Sequence, residues 1–396
     1  MDNVNGLSVT AELDHHLTPH FEALRRFSST AALKASPLYA RLKLEIDRVL
    51  KGVAQEALTR DPSPARPAIR ATAWNIERGR QVDNVVRVLR EHPLIRGSDA
   101  LLLTELDYGM ARSGNRNVPR EIASALGLHY AFAPCYVNLS KGSGLEDRAA
   151  SDNAQALHGN ALFARHPLRD AHAVSLPNGK DKMRGKEKRL GSQRALVATM
   201  DHPLGAVRLV SLHLDAHSTQ RHRRRQMRLV LDHLDGLRPA LPTLIGGDWN
   251  TSTYNSRRAL YAILGFWRRV FMGVNYVIRN HYAHPDRWFE RRLFRELERR
   301  GYRYRDLNQP GGCTLHYDVQ SLALNSNLGD WIPQWCFKFI NWSLREHQGK
   351  CSFKLDWFAG KGIAPASPPE VVEKLSETYG PLSDHDPILL DFLPRR

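Results

Sequence analysis

From residue 68 onward the chain returns repeatedly to one pattern, a short apolar or alternating run that stops on a polar residue. The runs are Ile69–Trp74, Ala100–Leu103, Ala195–Met200, Val207–Leu212, Thr243–Ile245 and Ile388–Phe392. Runs of this length and composition, bounded by polar residues, read as strands. Between several of them lie stretches of helical length with one apolar face. Val82–Glu91 offers Val85, Val86, Val88 and Leu89, and Arg221–Leu237 offers Met227, Val230, Leu231 and Leu234. Strands alternating with amphipathic helices confine the chain to α/β architecture, where chemistry collects at strand ends and in the loops after them.

The borders of the runs carry the chemistry. Ala71–Trp74 leads into Asn75, Leu101–Leu103 into Thr104 and Glu105, and Val210–Leu212 into His213 and Asp215. Asn160 stands just before Leu162-Phe163. Leu241–Ile245 leads into Gly246-Gly247-Asp248-Trp249-Asn250-Thr251, and Asp356 follows Lys354-Leu355. Ser383-Asp384-His385-Asp386 precedes the last run. Asp248 and Asn250, two apart, point the same way on an extended backbone. Gly246–Gly247 marks a place where the backbone passes something closely. Alone, this stretch reads as an ordinary turn. The other polar ends change that reading, because strands sharing a sheet bring their ends to one pocket. Asn75, Glu105 and Asp384 are hard oxygen donors suited to Mg²⁺ or Mn²⁺. With two histidines and no nearby cysteine, they describe metal-assisted phosphoryl chemistry better than a hydrolytic zinc site.

Trp74-Asn75, Thr104-Glu105, Gly159-Asn160-Ala161, Ser211–Asp215, Gly246–Thr251, Leu355-Asp356-Trp357 and Ser383–Pro387 resemble, in order, the successive motifs of the endonuclease/exonuclease/phosphatase superfamily. Its members include deoxyribonuclease I-like nucleases, abasic-site endonucleases, inositol polyphosphate 5-phosphatases and neutral sphingomyelinases. The resemblance implies a four-layer α/β sandwich, two facing mixed β-sheets flanked by helices, with the site at one end. It implies that Glu105 binds the catalytic Mg²⁺ (or Mn²⁺) with Asn75 beside it, and that Asp384 sits where some members bind metal. Asp248 would orient or deprotonate the attacking water, and Asn250 would hold that water or a phosphate oxygen. His385, its ring held by Asp356, would donate to the scissile phosphate. His213 would donate to a phosphate oxygen, Asn160 would help place the phosphate, and the double glycine would leave room for it. Arg223 and Gln226 resemble an Arg-x-x-Gln of bacterial members. Asp215 and Asp386 read as structural, His217 and His222 as surface residues, and Asp107 as a loop acid. The substrate loops do not carry over. Gly142–Ala161 lacks the element usual in abasic-site nucleases, and Ser252–Gly312 matches no member.

Residues 1–66 read as a helical N-terminal extension with Leu42, Ile46, Val49, Leu50 and Val53 at helix spacing, closed by a Pro-rich linker over residues 61–67. Residues 67–396 form the catalytic domain, with insertions near 252–312 and 321–350. The first insertion has 13 Arg and no Lys against 5 Asp and Glu between Tyr254 and Pro310. Its Phe289, Leu293, Phe294 and Leu297 fit one helix face. The second carries Trp331, Trp335, Trp342, Phe337 and Phe339. Either the aromatics are core of an enlarged domain or they form a basic, aromatic surface for an anionic polymer or a lipid headgroup layer. The basic run Lys180–Arg194 is a loop beside the phosphate path or a solvated charge run.

The net charge of +16 attracts polyanions. It favours nucleic acid as the phosphodiester substrate, with a phospholipid headgroup or phosphoinositide as the alternative and a catalytically silent polyanion-binding module behind both. Four widely spaced cysteines suggest neither a zinc site nor disulfides. With no signal-peptide pattern and no apolar run of spanning length, the expected location is cytoplasmic.

Overall fold

The computed structural model describes residues 12–58, 66–142, 146–147, 149–216, 218–251, 259–318, 342, 345 and 350–395. Most of the Pro-rich linker, His217, residues 252–258, and Trp331, Trp335, Phe337 and Phe339 of the second insertion lie outside them.

In chain order the strands are β1 (Ala54–Glu56), β2 (Ile69–Arg78), β3 (Ala100–Tyr108), β4 (His129–Asn138), β5 (Leu157–Ala164), β6 (Leu168–Ser175), β7 (Arg189–Gly191), β8 (Arg194–His202), β9 (Gly205–Ser211), β10 (Thr243–Asp248), β11 (Leu315–Asp318), β12 (Lys350–Phe353), β13 (Asp356–Lys361), β14 (Ile363–Pro365), β15 (Glu370–Val371) and β16 (Ile388–Pro394). A nine-stranded sheet runs β1-β4-β5-β3-β2-β16-β14, with β7 on β4 and β15 on β16. A five-stranded sheet runs β13-β10-β9-β8-β6. Both are mixed: β2/β3 and β9/β10 are parallel, and their other pairings are antiparallel.

The period-2 pattern of the strands sorts their side chains into layers. Ala71 and Ala73 of β2, Ala100 and Leu102 of β3, Leu209 of β9, Leu244 of β10 and Phe358 of β13 meet between the sheets. Trp74, Leu101 and Leu103 point the other way, onto helix Val82–Glu91 through Val85, Val88 and Leu89. Val210 and Ile245 point outward from the second sheet onto Met227, Val230 and Leu231 of helix Gln220–Gly236 and onto Leu293, Phe294 and Leu297 of helix Arg291–Arg299. Helices, sheet, sheet and helices make the expected four-layer sandwich.

The N-terminal segment joins this framework. Helix Pro37–Lys51 buries Leu42, Ile46 and Val49 in the core outside the first sheet. The chain then adds β1 to the sheet edge, Ala54 opposite Phe132. In the Arg-rich stretch aromatic packing and exposed arginines fall on opposite faces of one helix. Phe294 packs on Trp357 and Tyr304, with ring centroids 4.6 Å away in each case, while Arg291, Arg292, Arg295 and Arg299 are exposed. No helix among the described residues is long and apolar enough to cross a membrane.

Candidate active site

Strand direction assembles the site. The C-terminal ends of β2, β3, β9 and β10 reach the same end of the sandwich. Antiparallel β13 begins there, with Asp356 in register with Asp248. The segment before β16 arrives alongside, and Trp74 Nε1 donates to His385 O at 2.7 Å. Asn75, Glu105, His213, Asp248, Asn250, Asp356, Asp384 and His385 are thereby gathered.

Asp248 is the hub. Its Oδ2 lies 3.1 Å from Asn75 Nδ2, 3.2 Å from Asn250 Nδ2, 3.5 Å from His213 Nε2 and 3.9 Å from His385 Nε2. Its Oδ1 accepts the Asn250 N–H at 2.8 Å. Asn250 also meets His213 Nε2 at 3.0 Å and donates to Leu214 O at 3.0 Å. This requires Asn250 at φ +52°, a left-handed conformation that asparagine tolerates better than most residues. His385 Nδ1 pairs with Asp356 Oδ2 at 2.7 Å. The same oxygen accepts the Thr314 hydroxyl at 2.6 Å.

Charges follow from these contacts. Burial pushes Asp248 up to about 6, despite His213 and His385 beside it. Burial opposes the charge on His385, but Asp356, Asp248 and Asp384 outweigh it and raise the imidazolium well above the usual range. Burial also opposes ionisation of Glu105, yet His213, Arg78, His158 and His385 hold its carboxyl down at about 2. Glu77 is raised to about 7, by burial first and by Asp384 next. Asp384 is exposed at the rim, but the protein crowding it and the nearby Glu105 raise it too.

Glu105, Glu77 and Asp384 thus feel one another's charge, a repulsion that a hard divalent cation would relieve. The donor set fits such an ion. Asn75 is placed differently from a simple ligand. Its Oδ1 accepts the Glu77 N–H at 3.0 Å, and its Nδ2 faces Glu105 Oε1 at 3.3 Å and Asp248. Glu77 was missed in the sequence, because β2 bulges between Asn75 and Arg78 and breaks the alternation that would have pointed to it.

Asn160 lies deeper in β5, its Nδ2 donating to Arg194 O at 2.8 Å and approaching Cys135 Sγ at 3.7 Å. Among the described residues it makes no hydrogen bond to the other site residues. The double glycine serves packing, which corrects the expected room for a phosphate. A Cβ on Gly246 would stand 2.8 Å from the Phe358 ring, and one on Gly247 (φ +131°) 2.4 Å from Leu212 O. Asp107 is no loop acid. It is fully buried within β3, clamped by Arg112 (2.8 and 2.9 Å) and paired with His158 Nδ1 at 2.8 Å. Gln226 Oε1 accepts the Asp215 N–H at 3.0 Å and Arg223 Nη1 donates to Asp215 O at 3.4 Å, so both brace the loop after His213, while Arg223 Nε pairs with Glu290 at 2.7 Å. The run after Lys180 is anchored rather than free. Gly179 N–H donates to Asp215 at 2.7 Å, Lys182 lies 3.7 Å from Asp215, and Lys188 Nζ donates to Phe27 O at 2.7 Å.

Among solved structures, the chain is similar to an endonuclease/exonuclease/phosphatase from Beutenbergia cavernae (16% identity, covering 83% of this chain and 72% of that one, TM-score 0.48). A second, from Bacteroides vulgatus, shares 13% identity over 83% and 100% of the two chains, with a TM-score of 0.46. A 3'-5' exonuclease from Neisseria meningitidis shares 14% identity over 82% and 100%, with a TM-score of 0.45. No curated protein matches. The sequence model of one family matches residues 72–385, from within β2 to His385. The chain belongs to the endonuclease/exonuclease/phosphatase family, whose members hydrolyse phosphoester bonds.

Proposed function

We propose that the chain is a Mg²⁺-dependent phosphodiesterase that cleaves a P–O bond by in-line attack of water. One observation carries the reading: a single carboxylate oxygen, Asp248 Oδ2, is ringed by nitrogens of Asn75, Asn250, His213 and His385 within 3.9 Å. With its pKa near 6, Asp248 is ionised at neutral pH yet more basic than an ordinary carboxylate, as suits a general base that takes the proton of the attacking water. Asn250 fixes both its oxygens. The imidazolium of His385, held charged by Asp356, donates to a phosphate oxygen as negative charge builds. His213, 3.9 Å from Glu105, offers a second donor. Glu105, with Asp384 and Glu77, would hold the divalent ion, which when bound supplies positive charge to the phosphate oxygens.

For the substrate, the charge of +16 and the exposed Arg face of helix Arg291–Arg299 favour nucleic acid. A phospholipid headgroup is the second reading. It is favoured by apolar side chains exposed elsewhere in the same Arg-rich stretch of sequence: Leu264 at 57%, Phe271 at 83% and Trp288 at 48%. Hydrolysis is to be measured, with and without Mg²⁺, on single-stranded DNA, duplex DNA, RNA, phosphoinositides and sphingomyelin. Mg²⁺-dependent hydrolysis of one class is expected, lowered about 10³-fold or more in Asp248→Ala. Equal rates for wild type and Asp248→Ala would refute the mechanism. Binding without hydrolysis would leave a silent polyanion-binding module.

A further inference from the structure

We propose a second metal site, for a divalent ion of the zinc class, formed by Asp99, His166 and His202 at the end of the sandwich opposite the catalytic cleft. Asp99 stands immediately before β3, whereas Glu105 lies beyond the middle of that strand. Six residues of extended chain put them roughly 20 Å apart. His166 follows β5, whose Ala164 is in register with Ala100. His202 closes β8 of the other sheet, opposite Gly205. The three therefore join the two sheets at their far end.

One ligand atom from each residue lies within 4.8 Å of the others. All three are buried, at 3%, 9% and 6% exposure. The two imidazoles meet edge to face, with ring centroids 4.5 Å apart at 81°. Asp99 Oδ2 accepts the Arg70 N–H at 2.8 Å, which orients the carboxylate and leaves Oδ1 with no donor among the described residues. Neither ring nitrogen of His166 has a hydrogen-bond partner among the described residues. These nitrogens are not among the sealed, unpaired polar atoms of the interior, so their lone pairs are within reach of an incoming ion.

Two imidazoles and a carboxylate are a donor set that Zn²⁺ takes, with water in the fourth position. They differ in kind from the all-oxygen cluster around Glu105. Ligands of tetrahedral zinc stand roughly 3.3–3.5 Å apart, so the side chains must draw in somewhat on binding. His202 Nδ1 accepts the Leu204 N–H at 3.1 Å. Binding through Nε2 requires this contact to give way as the ring proton moves to Nδ1. Leu204 is in an exposed turn, where water can take over the N–H. Burial lowers the pKa of both rings, keeping them neutral as ligands must be. His129 lies near His166, and Arg165 is the adjacent cation, its Nε turned to Ser98 O at 3.0 Å.

The test uses the full chain stripped with a chelator and supplied with excess Mg²⁺ to occupy hard oxygen sites. Co²⁺ is titrated in and its visible absorption followed, then Zn²⁺ is added to displace it. Wild type and the Glu105→Gln/His213→Gln variant should both develop a low-symmetry cobalt band saturating at one equivalent and lost to zinc. His166→Gln and His202→Gln should each weaken binding by more than about 100-fold. Zinc should raise the melting temperature of wild type and not of these two variants. No band in wild type, or equal binding by the His variants, overturns the proposal. If those variants do not fold, X-ray absorption on the zinc complex of Glu105→Gln/His213→Gln decides. Two imidazoles around zinc support the site, and an all-oxygen shell overturns it.

Discussion

Two aspartate–histidine pairs flank Glu105, almost alike in geometry but with their imidazoles shifted in opposite directions. Asp356 meets His385 Nδ1 at 2.7 Å, and Asp107 meets His158 Nδ1 at 2.8 Å. Both aspartates are fully buried. His385 is nevertheless raised well above the ordinary imidazole range, while His158 is lowered. Burial opposes the charge on both rings, so the difference lies in who shares the carboxylate and in the further negative charge that Asp248 and Asp384 place beside His385. Asp107 is clamped by Arg112, whose guanidinium balances it and repels a charge on His158. Among the described residues the Asp356 carboxylate has only the Thr314 hydroxyl besides His385, and its Oδ1 has no partner. The negative charge of Asp356 is therefore available to His385. An aspartate–histidine contact supplies a charged donor only when no stronger cation competes for the aspartate.

The largest expected effects come from breaking each pair in turn. Asp356→Asn should lower kcat by about 10³–10⁴-fold, as in other sites where a buried aspartate orients a histidine. Its stability cost should be modest, because His385 can shed its proton. Arginine cannot. Asp107→Asn should therefore cost about 3 kcal/mol by stranding the buried guanidinium, with Glu187 at 3.2 Å and Glu146 at 3.4 Å the remaining partners of Arg112. Turnover per folded molecule should fall less than tenfold. Urea denaturation and steady-state kinetics on both variants check this. If Asp107→Asn matched the kinetic loss of Asp356→Asn, the two pairs would not differ as described.

Why one pair was legible in the sequence and the other was not follows from the strands. Asp248, His213, Asp356 and His385 each border an apolar run, so their convergence at one end of the sandwich could be read directly. Asp107 could not. Leu103 looks like the end of β3, but the strand continues through a bulge at Glu105 (φ +58°), and the register with β5 shifts between Leu103 and Leu106. An extra residue breaks the period-2 pattern on which the reading depends. The partners of Asp107 are equally hidden, since His158 lies 51 residues away. The same bulging in β2, between Asn75 and Arg78, concealed Glu77. Asp99, His166 and His202 have no spacing signal at all, since only the pairing of β5 with β3 and the facing of the two sheets bring them together. The glycine pair was read as room for a ligand because a sequence does not show that Phe358 and Leu212 already fill the space.

A smaller effect concerns pH and sharpens the contrast. At saturating Mg²⁺, kcat/KM should fall about tenfold per unit as pH drops below about 6, where Asp248 takes up its proton. The alkaline limb, set by loss of the His385 proton, should lie well above neutrality and move down in Asp356→Asn. His158→Gln should leave both limbs in place. Asp107 should instead show itself in stability. Burial opposes its ionisation, but Arg112 and His158 depress its carboxyl below the ordinary value. The stability it contributes is thus fully present above the unfolded pKa of about 3.9 and is lost as pH falls through the folded value. Acid unfolding of wild type should show that loss, and Asp107→Asn should lack it. A pH–rate profile that moved with His158→Gln would place both histidines in one titrating unit.

The smallest expected effect is the most discriminating in sign. Thr314 Oγ1 donates to Asp356 Oδ2 at 2.6 Å and accepts the Leu355 and Asp356 N–H groups at 3.3 and 3.2 Å. Thr314 O accepts the Asp386 N–H at 2.7 Å, tying this segment to the loop that carries His385. Thr314→Val keeps the shape and removes the hydroxyl. It should cost about 1 kcal/mol in stability and a few-fold in kcat through looser positioning of Asp356. With one neutral donor gone, more of the carboxylate's charge falls on His385, so the alkaline limb should move up. Asp356→Asn moves it down. The two substitutions touch the same carboxylate, and a purely structural role for Thr314 would lower turnover without moving the limb at all.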